Sequence, residues 1–128
     1  DGLAFREALA RGLKLGAISE RESKAAFRWL NEFGVTDIVM GTDDKLCAYE
    51  QLKLRFGLQD DECAYIGDDI NDIPVLERAG VSVTPISGIE YLRNRVQYTS
   101  GFEGGKGCVR EIVEMVLALQ EKWEYFDE

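Results

Sequence analysis

Residues 63–72 read Cys63-Ala64-Tyr65-Ile66-Gly67-Asp68-Asp69-Ile70-Asn71-Asp72. An apolar stretch of four residues runs directly into a glycine, two adjacent aspartates and a third aspartate three positions on. A short apolar run closed by a turn signal is the pattern of a strand in a parallel sheet. The acids then open a helix, predicted over 72–79, with Asp69 or Asp72 placed to cap it. A strand that ends in acids and returns as a helix is half of a βαβ unit. Whether the pattern repeats along the chain decides the fold.

It repeats in both directions. Downstream, residues 81–83 and 96–99 read as strands. Residues 107–122 read as a helix with Val109, Ile112, Val113, Val116 and Leu117 on one stripe. Upstream lies a helix over 44–56 stopped by Gly57, preceded by a strand over 37–40. Before that, Ala26, Trp29, Leu30 and Phe33 fall at i, i+3, i+4 and i+7 of a helix over 22–33 that Gly34 ends. Residues 13–18 form a strand ending at Ser19, and residues 3–11 a short helix closed by Gly12. The alternation predicts an α/β fold: a Rossmann-like parallel sheet with helices on both faces, joined by right-handed crossovers, in one domain over 1–128.

Composition narrows the chemistry. The chain has 128 residues, a net charge of −9 and 45% hydrophobic content. That charge argues against nucleic acid and anionic membranes as partners. Residues 43–72 hold nine acids and three bases, so the acidity is concentrated there. No apolar run reaches the length of a membrane span. The three cysteines are odd in number and contain no C-x-x-C pair, which reads as reduced, mostly buried thiols of a cytoplasmic protein. Histidine is absent, which removes Ser-His-Asp catalysis and His-ligated metals. The acid loop is not an EF-hand, because Ile70 and Ile73 stand where a ligand and a glycine are needed. Gly104-Gly105-Lys106-Gly107 is not a P-loop, since no Ser or Thr follows Lys106.

In open α/β sheets, ligands bind beyond the carboxyl ends of the strands. Ser19, Lys45, Asp68 and Asp69 all follow strands, so they are expected on one rim. Adjacent carboxylates repel, and a divalent cation cancels that repulsion. Oxygen-only ligands point to Mg²⁺, held by one or two carboxylates plus a phosphate. Lys45 supplies a point charge for a phosphate oxygen. Ser19 supplies a hydroxyl and nearby backbone N–H groups. Taken singly, Ser19 reads as a helix cap and Lys45 as a solvated residue at a helix start. Together with the acids they describe a phosphoryl-transfer site, where positioning and charge stabilisation carry most of the catalysis.

The order Ser19, Lys45, Gly67-Asp68-Asp69-x-x-Asp72 resembles motifs two, three and four of the haloacid dehalogenase (HAD) phosphatase superfamily. Ser19-Glu20-Arg21-Glu22-Ser23, Asp44-Lys45-Leu46, the stretch 64–72 and Gly104-Gly105-Lys106-Gly107-Cys108-Val109-Arg110-Glu111 resemble its small capless branch. That branch includes phosphatases of 3-deoxy-D-manno-octulosonate 8-phosphate. The resemblance implies a Mg²⁺-dependent phosphomonoesterase for an acidic sugar phosphate. It implies that Ser19 holds the phosphoryl group, Lys45 bridges phosphate and nucleophile, and Asp68 ligates Mg²⁺ with Asp69 in support. It implies that Asp72 orients Lys45 or braces the loop, with Gly67 in support; Arg21, Lys106 and Arg110 are candidates to read the substrate carboxylate. It also implies a homotetramer in which the tail from Gly104 to Arg110 approaches a neighbouring active site.

The superfamily's nucleophile is the first aspartate of a D-x-D motif, and none precedes Ser19. The expectation is therefore a domain lacking its amino-terminal strand, with the nucleophile upstream of Asp1. Two other readings stand beside it. Ser19-Glu20-Arg21 also resembles the carboxyl-terminal domain of CMP-sialic acid synthetases, which in some members serves assembly. A plain α/β module binding an anion is the third.

Overall fold

In the computed structural model, residues 2–102 are described. Ten elements alternate along them: α1 Gly2–Ala10, β1 Gly16–Ser19, α2 Lys24–Glu32, β2 Asp37–Met40, α3 Lys45–Phe56, β3 Ala64–Ile66, α4 Ile73–Leu76, β4 Val81–Thr84, α5 Glu90–Arg93 and β5 Tyr98–Thr99. The predicted helix over 107–122 and the glycine-rich stretch 104–107 lie outside the described residues.

Every strand pairing is parallel, as the alternation requires. The ladder comes in two parts. β1 pairs with β2 from Gly16↔Asp37 to Ser19↔Met40. β3 pairs with β4, and β4 with β5. Among the described residues, β1 and β3 each carry hydrogen bonds on one edge only. What joins the two ladders is helix packing. α3 lies against β1 and α4, while α4 lies against β3 and β4. At their junction Tyr49, Val75 and Ala79 are buried, with Ile18, Leu46, Cys63 and Tyr65 packed around them.

Local chemistry sets the element ends. The Asp44 side chain accepts from Cys47 N at 3.0 Å and starts α3. Gly57 ends it at φ 69°, a left-handed conformation that L side chains avoid. Lys53 and Arg55 sit in the last turn, where the helix dipole favours cations. Ser23 caps α2 by accepting from Ala26 N at 3.1 Å. The helix predicted over 72–79 appears as a 3₁₀ turn, Ile70–Asp72, followed by α4. Its helical hydrogen bonds continue to Ala79. Asp69 is the cap, accepting from Ile70 N at 2.7 Å.

The helix read over 22–33 appears as α2, and no residue of that helix is buried. Trp29 rests edge-on against Phe5 of α1 with ring centroids 5.6 Å apart and stays 43% exposed. The two described cysteines do not fit the expectation of mostly buried thiols, and Cys108 lies outside the described residues. Cys47 is exposed, because it falls on the outer side of α3, and Cys63 is half-buried. No helix among the described residues is long and apolar enough to cross a membrane.

Candidate active site

The carboxyl ends of β1, β2 and β3 bring Ser19, Lys45 and the acid loop to one side of the molecule, and Asp72 is its hub. Asp72 is 2% exposed. Its Oδ1 accepts from Lys45 Nζ at 2.9 Å and from the Tyr65 hydroxyl at 2.7 Å. Its Oδ2 accepts from the backbone N–H groups of Asp68 at 3.1 Å and Asp69 at 3.2 Å. An ionised carboxylate offers about four lone-pair sites, and all are taken. A buried charge needs this degree of pairing, because each unmet site would carry a desolvation cost.

Gly67 permits the arrangement. A Cβ at that position would lie 2.6 Å from Asp72 Cβ, so any side chain would push the hub away. Lys45 is brought in from the first residue of α3, and its side chain is only 12% exposed. Tyr65 enters from β3. Burial first, then the negative charge of Asp72 and the hydrogen bond to it, push the Tyr65 phenol well above its ordinary range. It therefore stays a donor at any physiological pH.

The saturation of Asp72 leaves Asp68 and Asp69 as the carboxylates able to meet a cation. Both are exposed. Among the described residues Asp68 accepts no hydrogen bond on its side chain, while the Asp69 side chain accepts from Ile70 N and, in a capping box, from Asp72 N. Two carboxylates with open oxygens fit the usual Mg²⁺ arrangement, in which phosphate and water complete the shell. No group of three or more potential ligands is gathered for a metal among the described residues. The set is thus a two-carboxylate platform rather than a closed protein cage.

Ser19 is half-buried at the end of β1. Its Oγ donates to Arg21 O at 2.9 Å and accepts from Arg21 N at 3.2 Å, a local turn that fixes the hydroxyl. Arg21 is exposed. Lys106 and Arg110 lie outside the described residues. Sequence reasoning missed two participants. Tyr65 was read only as part of a strand, although its place two residues before Gly67 marks it as the last bulky donor before the loop. Asn71 donates from Nδ2 to Glu20 Oε2 at 2.5 Å, tying the acid loop to the turn after Ser19 across 51 positions. A groove of about 580 Å³ lined by Glu22, Ser23, Phe27, Arg28 and Met40, among others, contains none of the site residues.

The family profile of haloacid dehalogenase-like hydrolases matches residues 15–112. The 3-deoxy-D-manno-octulosonate 8-phosphate phosphatase KdsC of Yersinia pestis is 33% identical over 124 residues, covering 97% of this chain and 66% of that protein. The enzyme of the same name from Escherichia coli K12 is 32% identical over 122 residues, covering 95% of this chain and 65% of that one. The chain thus spans just under two thirds of the length of these relatives. Among solved structures, the Moraxella catarrhalis 3-deoxy-D-manno-octulosonate 8-phosphate phosphatase, in complex with magnesium, phosphate and KDO, superposes with a TM-score of 0.92. It is 34% identical, covering 98% of this chain and 72% of that one. The cobalt-bound Haemophilus influenzae phosphatase superposes at 0.93 and 29% identity, covering 99% and 74%.

Proposed function

The chain belongs to the haloacid dehalogenase-like hydrolases, and from that premise we propose that it forms most of a cytoplasmic Mg²⁺-dependent phosphomonoesterase for an acidic sugar phosphate such as 3-deoxy-D-manno-octulosonate 8-phosphate. The observation that carries the reading is the pinned lysine beside two open carboxylates. Lys45 is held at 2.9 Å by a saturated Asp72, while Asp68 and Asp69 keep open oxygens. A purely structural salt bridge does not need two exposed acids next to it.

Asp68 and Asp69 are the residues that would hold Mg²⁺. A bound Mg²⁺ supplies charge neutralisation at the phosphate oxygens. Lys45 donates to another phosphate oxygen and offsets the charge of the attacking carboxylate. The Ser19 hydroxyl and the backbone N–H groups after it hold the phosphoryl group. The attacking carboxylate would sit on a further strand that completes the sheet. Support for this comes from the open ladder edges of β1 and β3 and from the saturation of Asp72. The carboxylate bonds to phosphorus as the phosphorus–oxygen bond to the sugar breaks, and the sugar alkoxide takes a proton from water to leave as the alcohol. Water then cleaves the acyl phosphate and releases orthophosphate. Arg21, Lys106 and Arg110 read the sugar's carboxylate. In a homotetramer, the stretch from Gly104 to Arg110 would help close a neighbour's site against water.

Substrate class is tested by comparing phosphate release from 3-deoxy-D-manno-octulosonate 8-phosphate and from a neutral hexose 6-phosphate by the natural polypeptide that contains this chain. The acidic sugar is expected to be preferred by roughly tenfold or more in kcat/KM, the discrimination a lost charge-assisted hydrogen bond gives. Equal rates would remove the carboxylate from recognition.

A further inference from the structure

α3 carries two clasps of the same composition at successive positions on one face. At its start, Lys45 Nζ and the Tyr65 hydroxyl share Asp72 Oδ1 at 2.9 and 2.7 Å. Two turns later, Lys53 Nζ and the Tyr49 hydroxyl share Asp60 Oδ1 at 2.6 and 2.8 Å. Lys45, Tyr49 and Lys53 are spaced i, i+4, i+8, so they line one side of the helix. The two tyrosine rings meet edge to face, 6.3 Å between centroids at 83°. The lysines are equally sheltered, with side chains 12% and 13% exposed.

The distal clasp anchors the helix to the turn before β3. The hydrogen bond from Lys53, then that from Tyr49, hold the Asp60 carboxyl below its ordinary range. The clasp at the rim does something more. A carboxylate oxygen has two lone-pair directions. With the phenol on one of them, the Lys45 ammonium is confined to the other. Without the phenol, both directions of Oδ1 are open, and Lys45 spreads over them.

We infer that Tyr65 is a positioning residue for Lys45: by occupying one side of Asp72 Oδ1 it restricts the ammonium to a single direction, facing the phosphate. Its ring, abutting Tyr49, ties that direction to the frame set by the distal clasp. The inference rests on the reading of Lys45 as a phosphate-binding cation. Its cost and benefit are entropic. A lysine ordered before the ligand arrives spares the ligand the expense of ordering it.

The test is Tyr65→Phe, which removes the hydroxyl and keeps the ring, with the side-chain ammonium order of Lys45 and Lys53 measured by NMR. Orthophosphate affinity in the presence of Mg²⁺ is measured on the same samples. The Lys45 order parameter is expected to fall while that of Lys53 holds, and orthophosphate is expected to bind roughly two- to tenfold more weakly. General loosening of the fold would lower both lysines together, and that result overturns the inference. So does an unchanged Lys45, or a looser Lys45 with unaltered affinity. If the parent protein binds no orthophosphate, the phosphatase reading fails on its own, and the difference between Lys45 and Lys53 still decides the role of Tyr65.

Discussion

Asp72→Ala is expected to lower folding stability by about 3–5 kcal/mol, the cost of removing one partner from a buried ion pair. The change strands four donors at once. The Lys45 ammonium loses its counter-ion, and the Tyr65 hydroxyl and the N–H groups of Asp68 and Asp69 lose their acceptor. Total stability of a domain this size is about 5–15 kcal/mol, so the variant stands near the folding threshold. The measurement is a urea unfolding curve, read as a shift in midpoint at constant slope. Adding Lys45→Met should recover part of the loss, because the stranded charge is then gone. A cost below about 1 kcal/mol, the range of an exposed pair, would contradict the account of Asp72 as a saturated hub.

Asp68→Asn is expected to do the opposite: abolish measurable Mg²⁺ binding and leave the fold intact. The Asp68 side chain is exposed and accepts no hydrogen bond among the described residues. Its contribution to the hub is its backbone N–H, which asparagine keeps. Stability without metal should therefore stay within about 0.5 kcal/mol of the parent, the usual effect of a surface substitution. It should move toward greater stability if at all, since one of two neighbouring like charges is removed. Calorimetric titration of Mg²⁺ into parent and variant checks this. Unchanged affinity would move the metal away from the acid loop. Loss of folding together with affinity would mean that Asp68 serves the loop rather than a cation.

How much of this was legible beforehand depends on range. Alternating strands and helices, and the ends of α3, follow from near neighbours: a start at Asp44, Gly57 as stop, and Cys63 to Ile66 as a short apolar strand, although none of those four residues is buried. Ser19, Lys45 and the acid loop were placed on one rim by the rule of strand ends alone. What escaped was the three-dimensional pairing. Asp72 had two roles open to it, and the structure gives it both, since it orients Lys45 and braces the loop in one set of hydrogen bonds. Tyr65 escaped because a tyrosine in a strand looks like core until its hydroxyl finds a partner. The Asn71–Glu20 bridge joins positions 51 residues apart, beyond any periodic pattern. The stripe on α2 marked the helix correctly but says which side of it is apolar, not how much of that side a neighbour covers. Here that neighbour is the short α1.

The most direct test of a Mg²⁺-dependent phosphatase site is orthophosphate release from 3-deoxy-D-manno-octulosonate 8-phosphate by the natural polypeptide containing this chain, with Mg²⁺ present and then removed by chelator. The account predicts turnover with Mg²⁺, none after chelation and recovery when Mg²⁺ is restored. Turnover that persists in chelator would contradict it, as would no release from this or any other sugar phosphate by a folded protein that binds the metal.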